Sequence, residues 1–146
     1  MSRFSRRITI QRPIEDVFAV LTDVELSERW FPGDIEEHWT TPPPHGVGST
    51  RHAVVRMAGR TTENDAVVTE DDPPHRASIA GTSPNAPFVG TFVFAREGEA
   101  TSVEVTIDLS LRGPARNVGP LVAAWYRRMW VQGLATLKRM MEKGEL

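Results

Sequence analysis

The chain contains no cysteine, which excludes disulfides, thiol catalysis and thiolate metal sites. That composition fits a reducing compartment, and a cytoplasmic location is the expectation. An excess of either charge is also lacking: 17 Lys and Arg stand against 19 Asp and Glu, for a net charge of -2. The whole molecule therefore offers a polyanion no attraction, and no nucleic-acid partner is expected. Long apolar runs are missing as well. The basic start through Arg7 meets Gln11, Arg12 and Pro13 rather than an apolar segment, so no signal peptide is expected. The apolar stretch at 121–125 falls far short of the roughly 18 residues of a membrane span. The histidines, His38, His45, His52 and His75, are scattered, with no i, i+4 pair and no carboxylate grouping, so no metal site is expected. No G-x-S-x-G, Walker A or G-x-G-x-x-G motif occurs, and no cofactor is implied.

What remains is ordinary globular material: 146 residues, 40% hydrophobic and 25% charged. That is the usual size of one domain, here taken as 1–146, and enough to bury a core without staples. Residues 3–11 read as a strand with Ile8 and Ile10 facing inward. Pro13 suits the first position of a helix. Ile14, Val17, Phe18 and Leu21 recur at i, i+3, i+4 and i+7, one buried stripe. A second short helix is expected over about 23–30, capped by Thr22 or Asp23 and stopped by Pro32-Gly33.

From there to residue 112 the period is two. Ile35, Glu37 and Trp39 mark a second strand. Pro42-Pro43-Pro44 reads as extended loop. A third strand opens at Gly46-Val47-Gly48 and runs to about 57, and a fourth covers about 60–71. Asp72-Pro73-Pro74 breaks the chain before a fifth strand at 75–82. Residues 83–87 form a loop, and a sixth strand runs over 88–96. In the seventh, Val103, Val105, Ile107, Leu109 and Leu111 share one face, as expected of a sheet with one wet side. A long helix is predicted from about 117–120 to 143, with Val122, Tyr126, Met129, Gly133, Leu137 and Met140 along its inward stripe, widened by Trp130, Leu134 and Met141.

Four segments resemble motifs of the START-like (SRPBCC) superfamily, often described as polyketide cyclase/dehydrase and lipid transport proteins. They are Ile10-Gln-Arg-Pro-Ile-Glu-Asp-Val-Phe18, Leu26-Ser-Glu-Arg-Trp30-Phe-Pro32, Gly46-Val-Gly-Ser-Thr-Arg51 and Val68-Thr-Glu-Asp-Asp-Pro-Pro-His-Arg76. Each is weak alone; their order and spacing cover essentially the whole chain. The resemblance implies an α+β helix-grip fold, a curved antiparallel sheet of about seven strands wrapped around a long C-terminal helix, with two short helices after the first strand. It implies a cavity between sheet and helix, and it does not imply a reaction. One departure is Ala66, where the family usually carries an aromatic: a small residue there enlarges the cavity or is covered by a neighbour.

Candidate ligand-binding residues follow. Trp125, Tyr126 and Met129 fall on the inward side of the long helix, with the Tyr126 hydroxyl as an orienting group. Gly133 costs a helix about 1 kcal/mol against Ala, so its inward position marks either a close approach or space for a ligand. Trp30 and Phe31 form a gate or a plug, with Trp39 nearby. Phe92 and Ile107 complete the apolar wall. The third strand poses a question of register. Binary pattern turns Arg51, Ala53, Val55 and Met57 inward. The resemblance instead favours Thr50, His52, Val54 and Arg56, which would make His52 and Arg56 the polar groups of the cavity. A buried arginine would need an acidic partner or an anionic ligand. Asn64 offers an amide on the fourth strand. Arg112, Arg116, Arg127 and Arg128 surround the start of the long helix and read as a solvated face, with steering of an anionic headgroup or acyl carrier to the cavity mouth as the alternative. No catalytic group is assigned.

The expected function is binding, with transport as an extension, of a small hydrophobic or aromatic molecule. The alternatives are a polyketide aromatase/cyclase- or dehydratase-like enzyme using the same cavity, and a protein-interaction module. Inward hydrogen-bonded polar groups would favour the enzyme, a dry cavity carriage, and a filled core interaction. Monomer and homodimer are both open.

Overall fold

The computed structural model describes residues 2–57, 59–82, 87–110, 113, 117 and 119–146. Among these described residues there are seven strands: β1 (Ser2–Ile10), β2 (Asp34–Trp39), β3 (Thr50–Met57), β4 (Arg60–Asp72), β5 (Arg76–Gly81), β6 (Phe88–Glu97) and β7 (Ala100–Leu109). All neighbours pair antiparallel, in the order β1-β7-β6-β5-β4-β3-β2. Six strands thus form a meander, and the first closes on the last. Between β1 and β2, at opposite edges of the sheet, lie α1 (Ile14–Thr22), a 3-10 turn (Val24–Leu26) and α2 (Ser27–Trp30); α3 (Gly119–Glu142) follows the sheet. This is the helix-grip architecture.

Local chemistry explains the elements. Pro13 is the N-cap of α1, one position before the expected site, and contributes no side-chain cap. Ile14, Val17, Phe18 and Leu21 are all buried, as their spacing requires. The Asp23 carboxylate accepts from the Glu25 N–H at 3.0 Å, which settles the cap in favour of Asp23 over Thr22. The chain then reverses through Gly33, whose φ of +97° lies where residues with a Cβ are disfavoured.

In β7, Val103, Val105, Ile107 and Leu109 are buried while Glu104, Thr106 and Asp108 are partly exposed. From Val103 to Leu109 the strand is buried on alternate residues, one face against the core and one toward water, whereas Ala100, Thr101 and Ser102 at its start are all buried. Leu111, Arg112, Arg116 and the loop at 83–86 lie outside the described residues.

The core sits at one end of the space between sheet and α3. There Ile10, Ile14, Val17, Phe18, Phe94, Val103 and Val105 meet Leu134, Leu137 and Met141. Only the C-terminal half of α3 is buried in this way. Hydrogen bonds lock that half in place. Arg12 donates to the carbonyls of Met141 and Leu146 at 2.8 and 2.9 Å. The Gln11 N–H donates to Glu142 at 2.9 Å, and Lys138 donates to the Thr9 carbonyl. No helix among the described residues is long and apolar enough to cross a membrane.

Candidate functional site

Toward the other end of the same space the core gives way to a cavity of about 800 Å³, partly open to solvent. Sites for small organic ligands run from roughly 300 to 1,000 Å³. Its floor is aromatic. Trp30 is 3% exposed and stands 5.8 Å from the Phe31 ring and 6.0 Å from Trp130, which in turn lies 6.0 Å from Phe92. These tilted and edge-on contacts are the arrangement that aromatic quadrupoles favour. Trp30 and Phe31 thus plug the end of the core and line the cavity at once. Ile107 and Phe92 supply the sheet wall, and Trp125 and Tyr126 the helix wall. Exposed lining residues, among them Glu25, Pro43 and Pro73, mark the opening. Trp39 lines it too, stacked on His45 at 4.0 Å and 11°.

The polar groups come from β2, β3 and β4. Alternation turns Arg51, Ala53 and Val55 inward, as the binary pattern requires. Arg51 is only 6% exposed. Its Nη1 donates to Asn64 Oδ1 at 2.6 Å, and its Nε lies 3.5 Å from Glu37 Oε2 without forming a hydrogen bond. Burial pushes the Glu37 carboxyl above the usual carboxylate range, and the neighbouring Arg51 charge opposes that rise. Burial likewise raises the Tyr126 phenol, again opposed by Arg51, so Tyr126 stays protonated at neutral pH and can donate a hydrogen bond. Its hydroxyl has no hydrogen-bond partner among the described residues.

A row of residues across four strands explains how Arg51 is held. Arg51 pairs with Ala66, Ala66 with Gly81, and Gly81 with Phe88. A Cβ on Gly81 would fall 2.2 Å from the Phe88 ring. The ring therefore lies across Gly81 and reaches to 5.9 Å from the Arg51 guanidinium, within cation–π range. Ala66 does not line the cavity; Phe88, reaching in from two strands away, covers this part of the sheet.

Four expected residues lie elsewhere. His52 and Arg56 are on the outer face, because β3 keeps the register that buries Arg51 and Ala53. His52 bonds Asp65 at 2.7 Å and approaches Glu63 at 3.4 Å, and Arg56 pairs with Glu36 at 3.6 Å. Met129 sits beside Gly33, where its Cε would be 3.2 Å from an added Cβ. Gly133 is buried by close approach: an added Cβ would meet Pro32, Phe31 and Trp30 at 3.1, 3.3 and 3.4 Å. The turn after α2 fills that space. Trp30, Phe31, Trp39, Asn64, Phe92, Ile107, Trp125 and Tyr126 do come together around the cavity. Glu37 and Arg51, neither of them among the expected ligand-binding residues, join the lining, Arg51 on the face that the binary pattern turns inward. Among the described residues no group of three or more His, Asp and Glu side chains could hold a metal ion.

Comparison with known proteins agrees with this fold. The family model described as "Polyketide cyclase / dehydrase and lipid transport" matches residues 1–142. Among solved structures, TTHA0849 from Thermus thermophilus superposes with a TM-score of 0.73 at 20% identity, covering 97% of this chain and 95% of that one. MLL2253 from Mesorhizobium loti gives 0.73 at 16% identity, covering 99% and 100%. The di-domain ARO/CYC BexL from the BE-7585A biosynthetic pathway gives 0.69 at 19% identity, covering 97% of this chain and 47% of that one. Identities this low establish a shared fold and nothing finer. No match is found among proteins of curated function.

Proposed function

The chain belongs to the polyketide cyclase/dehydrase and lipid transport family, and from that premise we propose that it binds a small hydrophobic or aromatic molecule in the cavity between the sheet and α3. The observation that carries this reading is the cavity itself. About 800 Å³ is bounded by Trp30, Phe31, Phe92, Ile107, Trp125 and Trp130. Burying apolar ligand surface against such walls contributes roughly 25 cal/mol per Å². A protein with no such ligand would gain by filling the space with its own side chains. The filled core expected of an interaction module is not what these residues build.

A second reading rests on a separate observation. Glu37, Arg51, Asn64 and Tyr126 form an inward polar group, with Arg51 hydrogen-bonded to Asn64. A cyclase- or dehydratase-like reaction would use the apolar walls to hold a flexible substrate in one shape. Tyr126 and Arg51 would then stabilise charge developing on a carbonyl oxygen. Glu37, whose carboxyl is raised by burial, would exchange a proton.

Native mass spectrometry of gently purified protein tests the binding reading. It should show a discrete co-purifying small molecule that is lost on denaturation. A clean apo mass in every preparation, with no uptake of an added apolar compound, would sink it.

A further inference from the structure

We propose that Arg51 is an anion-anchoring subsite for a small apolar acid, and that Glu37 is the resident counter-ion which the ligand's carboxylate displaces. This rests on the cavity-binding reading and names the chemistry of its ligand.

The geometry points to this because the arginine is under-used. A guanidinium carries five N–H donors in a planar fork. Here only Nη1 makes a hydrogen bond, to Asn64 at 2.6 Å. Nε is sealed and makes no hydrogen bond. Nη2 makes no hydrogen bond among the described residues and, unlike Nε, is not sealed; Arg51 lines the cavity. Glu37 supplies charge but not geometry, since its Oε2 lies 3.5 Å from Nε without a hydrogen bond. Buried charges are normally both paired and hydrogen-bonded. A site that holds an arginine in place from Asn64 and Phe88 while leaving its fork unfilled is suited to an acceptor from outside. The Tyr126 hydroxyl, also without a partner and close enough to feel the Arg51 charge, supplies a further donor. The body of the ligand then lies against Trp30, Phe92 and Trp130.

Charge balance sets a consequence. One cation cannot neutralise two buried carboxylates, so a ligand carboxylate on Arg51 leaves Glu37 unpaired. Glu37 then takes a proton from solvent, and burial already favours its neutral form. The other titratable groups on the cavity lining are Asp23, Glu25, His45, Asp71 and Tyr126. Glu25 is exposed and Asp23, His45 and Asp71 are partly so. Their charges are screened by water. Acid binding should therefore consume protons, and binding of a neutral isostere should not.

The test uses naphthoic acid and naphthamide, which share an apolar body. Calorimetry in two buffers of different ionisation enthalpy, between about pH 6 and pH 9 where a simple carboxylic acid stays ionised, reads proton uptake directly. The acid should bind with uptake approaching one proton where Glu37 is ionised, and weaken by up to about tenfold per pH unit there. The amide should bind with no uptake and no pH dependence. Glu37→Gln should bind the acid more tightly and without uptake. The double variant Glu37→Gln/Arg51→Gln, in which neither charge is stranded, should lose about ten- to hundredfold in acid affinity relative to Glu37→Gln and leave the amide within about threefold. Melting temperatures confirm that each variant folds. Acid binding indifferent to Arg51, or with no proton uptake at any pH, overturns the proposal. Amide binding without acid binding also overturns it, and leaves the cavity reading standing. If neither compound binds and the apolar dye Nile red does not bind, the cavity reading falls and takes this proposal with it.

Discussion

At the residue scale, His52 shows how one register decides a side chain's chemistry. Its ring lies on the outer face of β3 between Asp65 and Glu63. The hydrogen bond to Asp65 is the main cause of a pKa raised above the ordinary histidine value. Glu63 adds to the rise and desolvation opposes it. A raised folded value means the protonated ring stabilises the fold below the ordinary value, and that this contribution is lost as pH rises through the folded value. An NMR titration of the His52 ring should therefore place its midpoint above the ordinary value, and Asp65→Asn should bring it down. A midpoint at or below the ordinary value in the unmodified chain would contradict this placement. The same register was legible from alternation alone. Arg51, Ala53 and Val55 are inward because Ala53 and Val55 are apolar, and the charged Arg51 follows by parity. Parity also aligned Glu37 with Ile35 and Trp39. That Glu37 and Arg51 form a buried pair was not legible, because it depends on how β2 is set against β3. What alternation cannot show is the Phe88 ring crossing Gly81 to reach Arg51, since that contact depends on pairing across four strands.

At the scale of elements, α3 divides the molecule's labour. Its C-terminal half buries Leu134, Leu137 and Met141 in the core, and its N-terminal half presents Trp125, Tyr126 and Trp130 to the cavity. The helix and its apolar face were readable from the 3.6-residue period. The orientation of that face was not: Trp130, Leu134 and Met141, expected at its margin, lie at its centre, and Met129 is turned toward Gly33. Periodicity fixes which residues share a face but not which neighbour the face meets, and the neighbour here is the turn after α2. Gly133 is the contact point. Gly133→Leu gains helix propensity of about 1 kcal/mol but forces a branched side chain against Pro32, Phe31 and Trp30. Overpacking of this kind costs about 1–3 kcal/mol, so the expected result is a lower melting temperature. Because the added atoms meet the plug and do not enter the cavity directly, dye binding should persist, weakened by less than about tenfold, about 1.4 kcal/mol, through displacement of the cavity-lining Trp30 and Phe31. An unchanged or raised melting temperature with lost dye binding would show that this space belongs to a ligand after all.

Across the whole molecule, the sheet curls around one helix, and the interior it encloses is longer than the core that fills it. The order of elements and the alternation of β7 made the architecture legible. The size of the cavity was not, because it depends on side chains that stop short of one another, such as Ala53 and Ala77 on the sheet. The most direct measurement is a titration of Nile red into the unmodified chain and into Ala53→Phe. Ala53 is 1% exposed and lies on the cavity wall, so a phenyl ring there projects into space that a ligand would occupy. The expected result is saturable binding to the unmodified chain at one site, and affinity reduced about tenfold or more in Ala53→Phe, a loss of about 1.4 kcal/mol, with the melting temperature unchanged or raised. Equal dye binding by both proteins, or a melting temperature that collapses because no room exists for the ring, would contradict a ligand cavity between the sheet and α3.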